Sequence, residues 1–98
     1  MKSLRTYARG KKCYLRIPGC THDPEKTSLA HLRVGGIAGT GIKPPDVCAL
    51  PLDDYCHGVV DGRIQTDLTQ VEIRAELLRA QNQWLADLWA DEVIVVVL

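Results

Sequence analysis

The sequence predicts a small α+β domain. Two short strands and a short helix form a core stapled by metal-ligating side chains, and one long helix closes the C-terminal end. Three observations predict it. Cys13 and Cys20 flank an apolar stretch and a Pro-Gly turn, and Cys56 returns a third thiol later in the chain. Residues 14–17 and 28–34 have strand length and lie beside turn-forming residues. Thr69-Gln70-Val71-Glu72 is a capping-box pattern ahead of apolar residues that recur every three or four positions.

The elements follow in order. Residues 1–12 form a basic arm without a strong periodic pattern. Lys2, Arg5, Arg9, Lys11, Lys12 and Arg16 all precede the first acidic residue, Asp23, so half of the 12 basic residues lie in this first part of the chain. The arm reads either as a phosphate-contacting segment or as a solvated terminus. Net charge is +0, which argues against nucleic-acid binding by bulk charge alone. Residues 14–17 are the first strand, and Pro18-Gly19 turns the chain so that Cys13 and Cys20 meet. Residues 21–27 are a polar loop containing Pro24.

Residues 28–34 are the second strand, with Leu29, His31 and Arg33 on one face and Ala30, Leu32 and Val34 on the other. Residues 35–46 hold too much Gly and Pro for a regular element. They match neither the P-loop nor the dinucleotide fingerprint. The apolar stretch 47–52 leads to Asp53-Asp54, either of which caps a short helix that begins near Tyr55 and continues past Asp61. The long helix covers 69–90. Ile73, Leu77, Ala80, Trp84 and Leu88 line its apolar face, and Glu72, Arg79, Gln83 and Asp87 lie opposite. Trp84 and Trp89 read as core or flank rather than as base-stacking platforms. The whole of 1–98 is thus one domain, made of the arm 1–12, a core 13–63 and the packing helix 69–90.

A chain of 98 residues buries a modest core, so a staple adds real stability. With no Phe, that core is built mainly from Leu, Ile, Val and Ala. No apolar run approaches membrane-spanning length, and none follows the N-terminal positive charges as a signal peptide requires. The chain reads as cytoplasmic, where four cysteines bind metal or stay free rather than form disulfides.

A structural zinc site needs four soft or borderline ligands. Cys13 and Cys20 supply one pair and Cys56 a third ligand. Asp53 stands where a Cys-x2-Cys pair would place the fourth, with Cys48 and His22 as other candidates. The alternative is that these cysteines serve as small buried apolar residues. His57 and Asp61, four apart on a helix, point to one side and could share a hard divalent ion such as Mg2+. His31 on the preceding strand and Asp46 after the Gly/Pro loop can enter the same site. Imidazole titrates near neutrality and can take a proton from water, while a divalent ion neutralises charge growing on a phosphate. The conjunction suits phosphodiester cleavage.

These residues resemble a known family. Cys13 and Cys20, then Leu29-Ala30-His31-Leu32-Arg33, then Gly39-Thr40-Gly41-x-Lys43-Pro44-Pro45-Asp46 and Cys56-His57-x3-Asp61-Gly62-Arg63, are similar to the YbcO-like prophage proteins, within the HNH or ββα-metal nuclease group. The resemblance covers about residues 5 to 90. It implies an HNH-like ββα-metal core around one divalent ion, with a structural zinc knuckle nearby. By position, His31 matches the general base. Asp46 lies near the central Asn that positions the base or holds metal, His57 matches the terminal metal ligand, and Asp61 is the added ligand one turn on. Cys13, Cys20 and Cys56 match zinc cysteines. Asp53 departs from that pattern by replacing a cysteine, and Ala30 stands where many HNH enzymes carry a metal ligand.

The expectation is therefore a phage-type, metal-dependent endonuclease acting on DNA, with Arg33, Lys43 or Arg63 touching phosphate. A zinc-containing DNA-binding module without catalysis is the alternative. A homodimer through the long helix is a third expectation, because its Leu/Trp face can bury against a second copy as readily as against its own core. The apolar tail 93–98 would pair across that interface or close the core.

Overall fold

The computed structural model describes residues 3–32 and 44–97. Arg33 and Lys43, and most of the Gly/Pro-rich segment, lie outside the described residues. Helix α1 spans Leu4–Ala8, strand β1 Thr27–His31, strand β2 Ala49–Asp53, helix α2 Asp54–Val60 and helix α3 Gln70–Ala90. The strands pair antiparallel, from Thr27 opposite Asp53 to His31 opposite Ala49. Leu32 N–H continues the ladder onto the Cys48 carbonyl at 2.9 Å.

Helix α1 falls in the arm, where the sequence showed no pattern. A Ser3 cap starts it: the Ser3 hydroxyl accepts from Thr6 N–H at 3.1 Å. Its anchor is tertiary. Tyr7 packs on Trp84 with ring centroids 5.4 Å apart, and its hydroxyl donates to Asp91.

Residues 14–17 are not a strand. Cys13, Tyr14, Leu15 and Ile17 are buried, but Arg16 has a φ of 54°, which breaks the extended run. The segment is a knuckle, attached to β2 by one hydrogen bond from Tyr14 N–H to the Pro51 carbonyl, 2.9 Å. The second strand of the hairpin is instead 49–53, which the residue pattern presented only as an apolar stretch. All five of its positions are buried. A strand covered on both faces shows no polar alternation, so its period is invisible in the sequence. Pro51 is tolerated because its carbonyl, and so its ring nitrogen, faces the Tyr14 edge and not β1.

Helix α2 follows β2 without a loop. Asp53 is its cap, accepting from Cys56 N–H at 2.8 Å. The helix ends at Val60 rather than running past Asp61. Asp61 is the C-cap, and Gly62 at φ 84° takes the left-handed position that terminates it.

Helix α3 has the expected start and face. Thr69 and Glu72 make both bonds of the capping box, and Ile73, Ala80, Trp84 and Leu88 are buried. It ends in a Schellman-type turn, with Val93 N–H on the Leu88 carbonyl (2.9 Å), Glu92 N–H on Trp89 (3.1 Å) and Glu92 at φ 58°. The apolar face once offered to a second copy packs into the chain's own core with Leu15, Leu50 and Leu52. Val93 and Ile94 close that core, and Val95, Val96 and Val97 are exposed without forming a strand. The polar side also docks. Arg79 Nη2 donates to the Tyr14 and Leu15 carbonyls at 3.0 Å each, and Asp87 accepts from the Tyr14 hydroxyl. Among the described residues, no helix is long and apolar enough to cross a membrane.

Candidate functional site

The knuckle, the end of β2 and the first turn of α2 converge. Cys13, Cys20, Asp53 and Cys56 bring one ligand atom each within 4.8 Å of one another. Tetrahedral zinc with Zn–S bonds of about 2.3 Å holds its sulfurs about 3.8 Å apart, so a small contraction completes the geometry. His22 and Cys48 are outside the cluster. The His22 backbone N–H instead lies 3.4 Å from the Cys20 sulfur, at a residue with φ 57°.

The surroundings suit a cation. The Cys13 sulfur is hydrogen-bonded by the Cys56 thiol, and the amides of Arg16, Asp53 and Leu15 add to this, so Cys13 sits well below the ordinary thiol value against the opposing effect of burial. The shared proton stays on Cys56, which Cys13, burial and Asp53 push upward. Burial also raises Cys20. Asp53 is wholly buried. Burial alone would raise its carboxyl, but Thr21 N–H (2.7 Å) and the thiol and N–H of Cys56 outweigh it and hold the group well below the carboxylate range. The two carboxylate oxygens accept one backbone N–H each, Oδ2 from Thr21 and Oδ1 from Cys56. Three sulfurs and a carboxylate form a donor set that Zn2+ accepts once the thiols give up their protons.

The second group stands at the far end of β1. His31 Nε2 is 2.7 Å from Asp46 Oδ1, and Arg5 Nε is 3.6 Å from Asp46 Oδ2. The His31 side chain is only 12 % exposed, so the ring is held on the hairpin rather than free in solvent. Its hydrogen bond, and then Arg5, keep the Asp46 carboxyl below its ordinary value. Asp46 is thus an anion at neutral pH, and it favours the tautomer with the proton on Nε2 and the lone pair on Nδ1.

On α2, His57 Nε2 lies 3.7 Å from Asp61 Oδ2, too far for a direct hydrogen bond. Arg63 holds Asp61 from the other side, Nε reaching both oxygens at 3.1 and 3.0 Å. Burial raises the Asp61 carboxyl, and Arg63 more than reverses this. Arg63 is therefore engaged with a carboxylate in this structure. Among the described residues, Asp46, His57 and Asp61 do not close into one ligand trio; they stand as two pairs, His31 with Asp46 and His57 with Asp61.

Arg5 was missed as a member of the site. The only signal was its place in the basic arm; α1 is what carries it to Asp46.

A family model described as "Putative nuclease YbcO" matches residues 2–87 of this chain. A protein of that description from Escherichia coli (strain K12) is 48% identical over 64 residues, covering 64% of this chain and 67% of the relative. A protein described as "Putative nuclease ybcO" from Enterobacteria phage 82 gives the same identity and coverage, 48% over 64 residues. Among solved structures, "Structure of a putative bacteriophage protein from Escherichia coli str. K-12 substr. MG1655" superposes with a TM-score of 0.72 at 30% identity. That match covers 92% of this chain and 100% of the other.

Proposed function

Since the chain belongs to the YbcO family, we propose that it is a phage-type nuclease of the HNH kind that hydrolyses phosphodiester bonds in DNA. The observation that carries this reading is the hydrogen-bonded His31–Asp46 dyad, 2.7 Å long, on a hairpin that runs directly into α2. His31 is the general base. Asp46 holds Nε2–H and so orients the ring, leaving Nδ1 to take the proton of the attacking water. Water oxygen bonds to phosphorus as its proton passes to Nδ1, one P–O ester bond breaks, and the departing oxygen takes a proton from solvent water. His57 and Asp61 would hold a divalent ion, Mg2+ being the suited one, which when bound offsets charge on the phosphate and the leaving oxygen. Arg63, Arg33 and Lys43 contact phosphate in this reading. Cys13, Cys20, Asp53 and Cys56 hold a structural zinc that fixes the knuckle against β2 and α2.

The test is plasmid nicking across Mg2+, Mn2+ and EDTA, with zinc content measured on the same sample. His31→Ala is expected to lower cleavage at least about 100-fold, the lower end of a general base's contribution, while the fold is kept. Ion-dependent nicking retained by His31→Ala refutes the base assignment. One observation favours the alternative of a zinc-containing DNA-binding module without catalysis: among the described residues Asp46 pairs with His31 and does not join His57 and Asp61 in one ligand trio. Salt-sensitive DNA binding by wild type, with nicking under no ion, decides for that module.

A further inference from the structure

We propose that the cavity between α1 and β1 is a subsite for a nucleic-acid phosphate flanking the scissile one, with Arg5 and Arg9 as its cationic contacts. The cavity is about 310 Å³ and is lined by Arg5, Ala8, Arg9, Thr27, Ser28 and Leu29. Two arginines and the Ser28 hydroxyl share one lining, and Ala8 adds little bulk to its wall; the Thr27 hydroxyl is committed to the Asp23 carbonyl at 2.9 Å. Planar guanidinium forks match phosphate oxygens, and hydroxyls donate to them, which is the usual chemistry of backbone contacts.

Its position ties it to the dyad. Leu29 is two residues before His31 on β1, so their backbones lie about 7 Å apart along the strand, with both side chains on one face. Arg5 spans both places, lining the cavity and also meeting Asp46 Oδ2 through Nε at 3.6 Å. An arginine has five N–H donors, so the terminal amino groups can face a second anion. Two other cations of the arm are turned elsewhere. Lys11 Nζ sits 4.4 Å from the Tyr7 ring centroid, and Arg16 Nε donates to the Cys13 carbonyl at 3.0 Å. α1 therefore directs Arg5 and Arg9, and not the arm as a whole, at the groove beside His31. Describing the phosphate as the neighbour of the scissile one rests on the reading of His31 as the reaction centre; the binding of a phosphodiester does not.

The experiment is fluorescence anisotropy of wild type on a labelled short DNA duplex over a range of salt, without added divalent ion, beside Arg5→Gln, Arg9→Gln, Arg9→Lys and Arg74→Gln. Losing one phosphate contact lowers the slope of log affinity against log salt by about 0.9, so the ratio of wild-type to variant affinity changes about 8-fold per tenfold change in salt. Arg5→Gln and Arg9→Gln each show this loss. Arg9→Lys keeps the wild-type slope because it keeps the charge, and Arg74→Gln, exposed on α3, is unchanged. Far-UV circular dichroism melts establish that each variant is folded, and Arg9 alone decides if Arg5→Gln unfolds. Slopes equal to wild type in the glutamine variants overturn the subsite even where wild type nicks DNA. Reduced slopes in a protein that nicks under no ion support the subsite and refute the nuclease reading instead. Wild type that does not bind DNA refutes both.

Discussion

Replacing Asp53 tests how the cluster, β2 and α2 are joined. This one carboxylate caps α2 through Cys56 N–H (2.8 Å), fixes the knuckle through Thr21 N–H (2.7 Å) and reaches the three thiols. In Asp53→Ala the lost cap costs about 1 kcal/mol. The Thr21 N–H left without its partner adds about 1–3 kcal/mol. Relief from burying a carboxylate offsets part of this, which leaves a net loss of about 2 kcal/mol. For a domain of this length that corresponds to a fall in Tm of about 8–16 °C. Asp53→Asn has one acceptor oxygen where Asp has two, so it keeps the cap and gives up Thr21, at about half the cost. Urea unfolding reads both variants, with the m value checking that the transition keeps its character. An Ala variant within about 0.5 kcal/mol of wild type, the range of ordinary surface changes, refutes the reasoning. So does an Asn variant as unstable as Ala, because the carboxylate would then matter only as a charge or ligand.

Three further outcomes are expected. Arg79→Ala removes two charge-assisted bonds from α3 to the Tyr14 and Leu15 carbonyls and lowers stability by about 1–2 kcal/mol, discounted for a half-exposed side chain; urea midpoints check it. Gly19→Ala is strained twice over, because φ is 99° and an added Cβ meets the Tyr55 ring at 2.5 Å; the loss is about 1–3 kcal/mol, read in a thermal melt, and exceeds that of Gly10→Ala, which at φ 81° has the backbone strain but no neighbouring atom within 4 Å. Glu72 is held below its usual carboxyl value chiefly by the Thr69 N–H, so its charge stabilises the fold above the ordinary glutamate range, and that contribution is lost as pH falls through the lower folded value. Melts of wild type and Glu72→Gln should therefore differ at pH 7 and converge in acid. A constant gap down to low pH contradicts the capping role of the charge.

Local signals in the sequence carried some elements completely. The α3 start was legible because a capping box is satisfied within four consecutive residues, and its buried face because helical spacing is a local property. Cys13, Cys20, Cys56 and the odd Asp53 were legible as a ligand set because their residue types and spacing mark a knuckle. The described structure gathers those four. His31 and Asp46 were legible only as residues that could enter one site; their direct hydrogen bond, 2.7 Å long, belongs to the fold. The remaining features depend on what packs against what. β2 showed no alternation because tertiary contacts cover both of its faces, and residues 14–17 looked extended until Arg16 took a left-handed φ to wrap the cluster. Arg79 and Asp87 read as solvent-facing, yet they clamp the knuckle to α3. Helix α1 is too short to announce itself, and packing of Tyr7 on Trp84 anchors it. Sequence by itself thus determined the α3 signals, the cap of α2 and the residue types of the knuckle, all of which depend on near neighbours in the chain. Only tertiary structure decided that Arg5 meets Asp46, and that Asp46 stands with His31 rather than with the His57–Asp61 pair that the four-residue spacing had already brought together. Those placements are set by the docking of α1 and α2 on the hairpin, and no spacing along the chain encodes them.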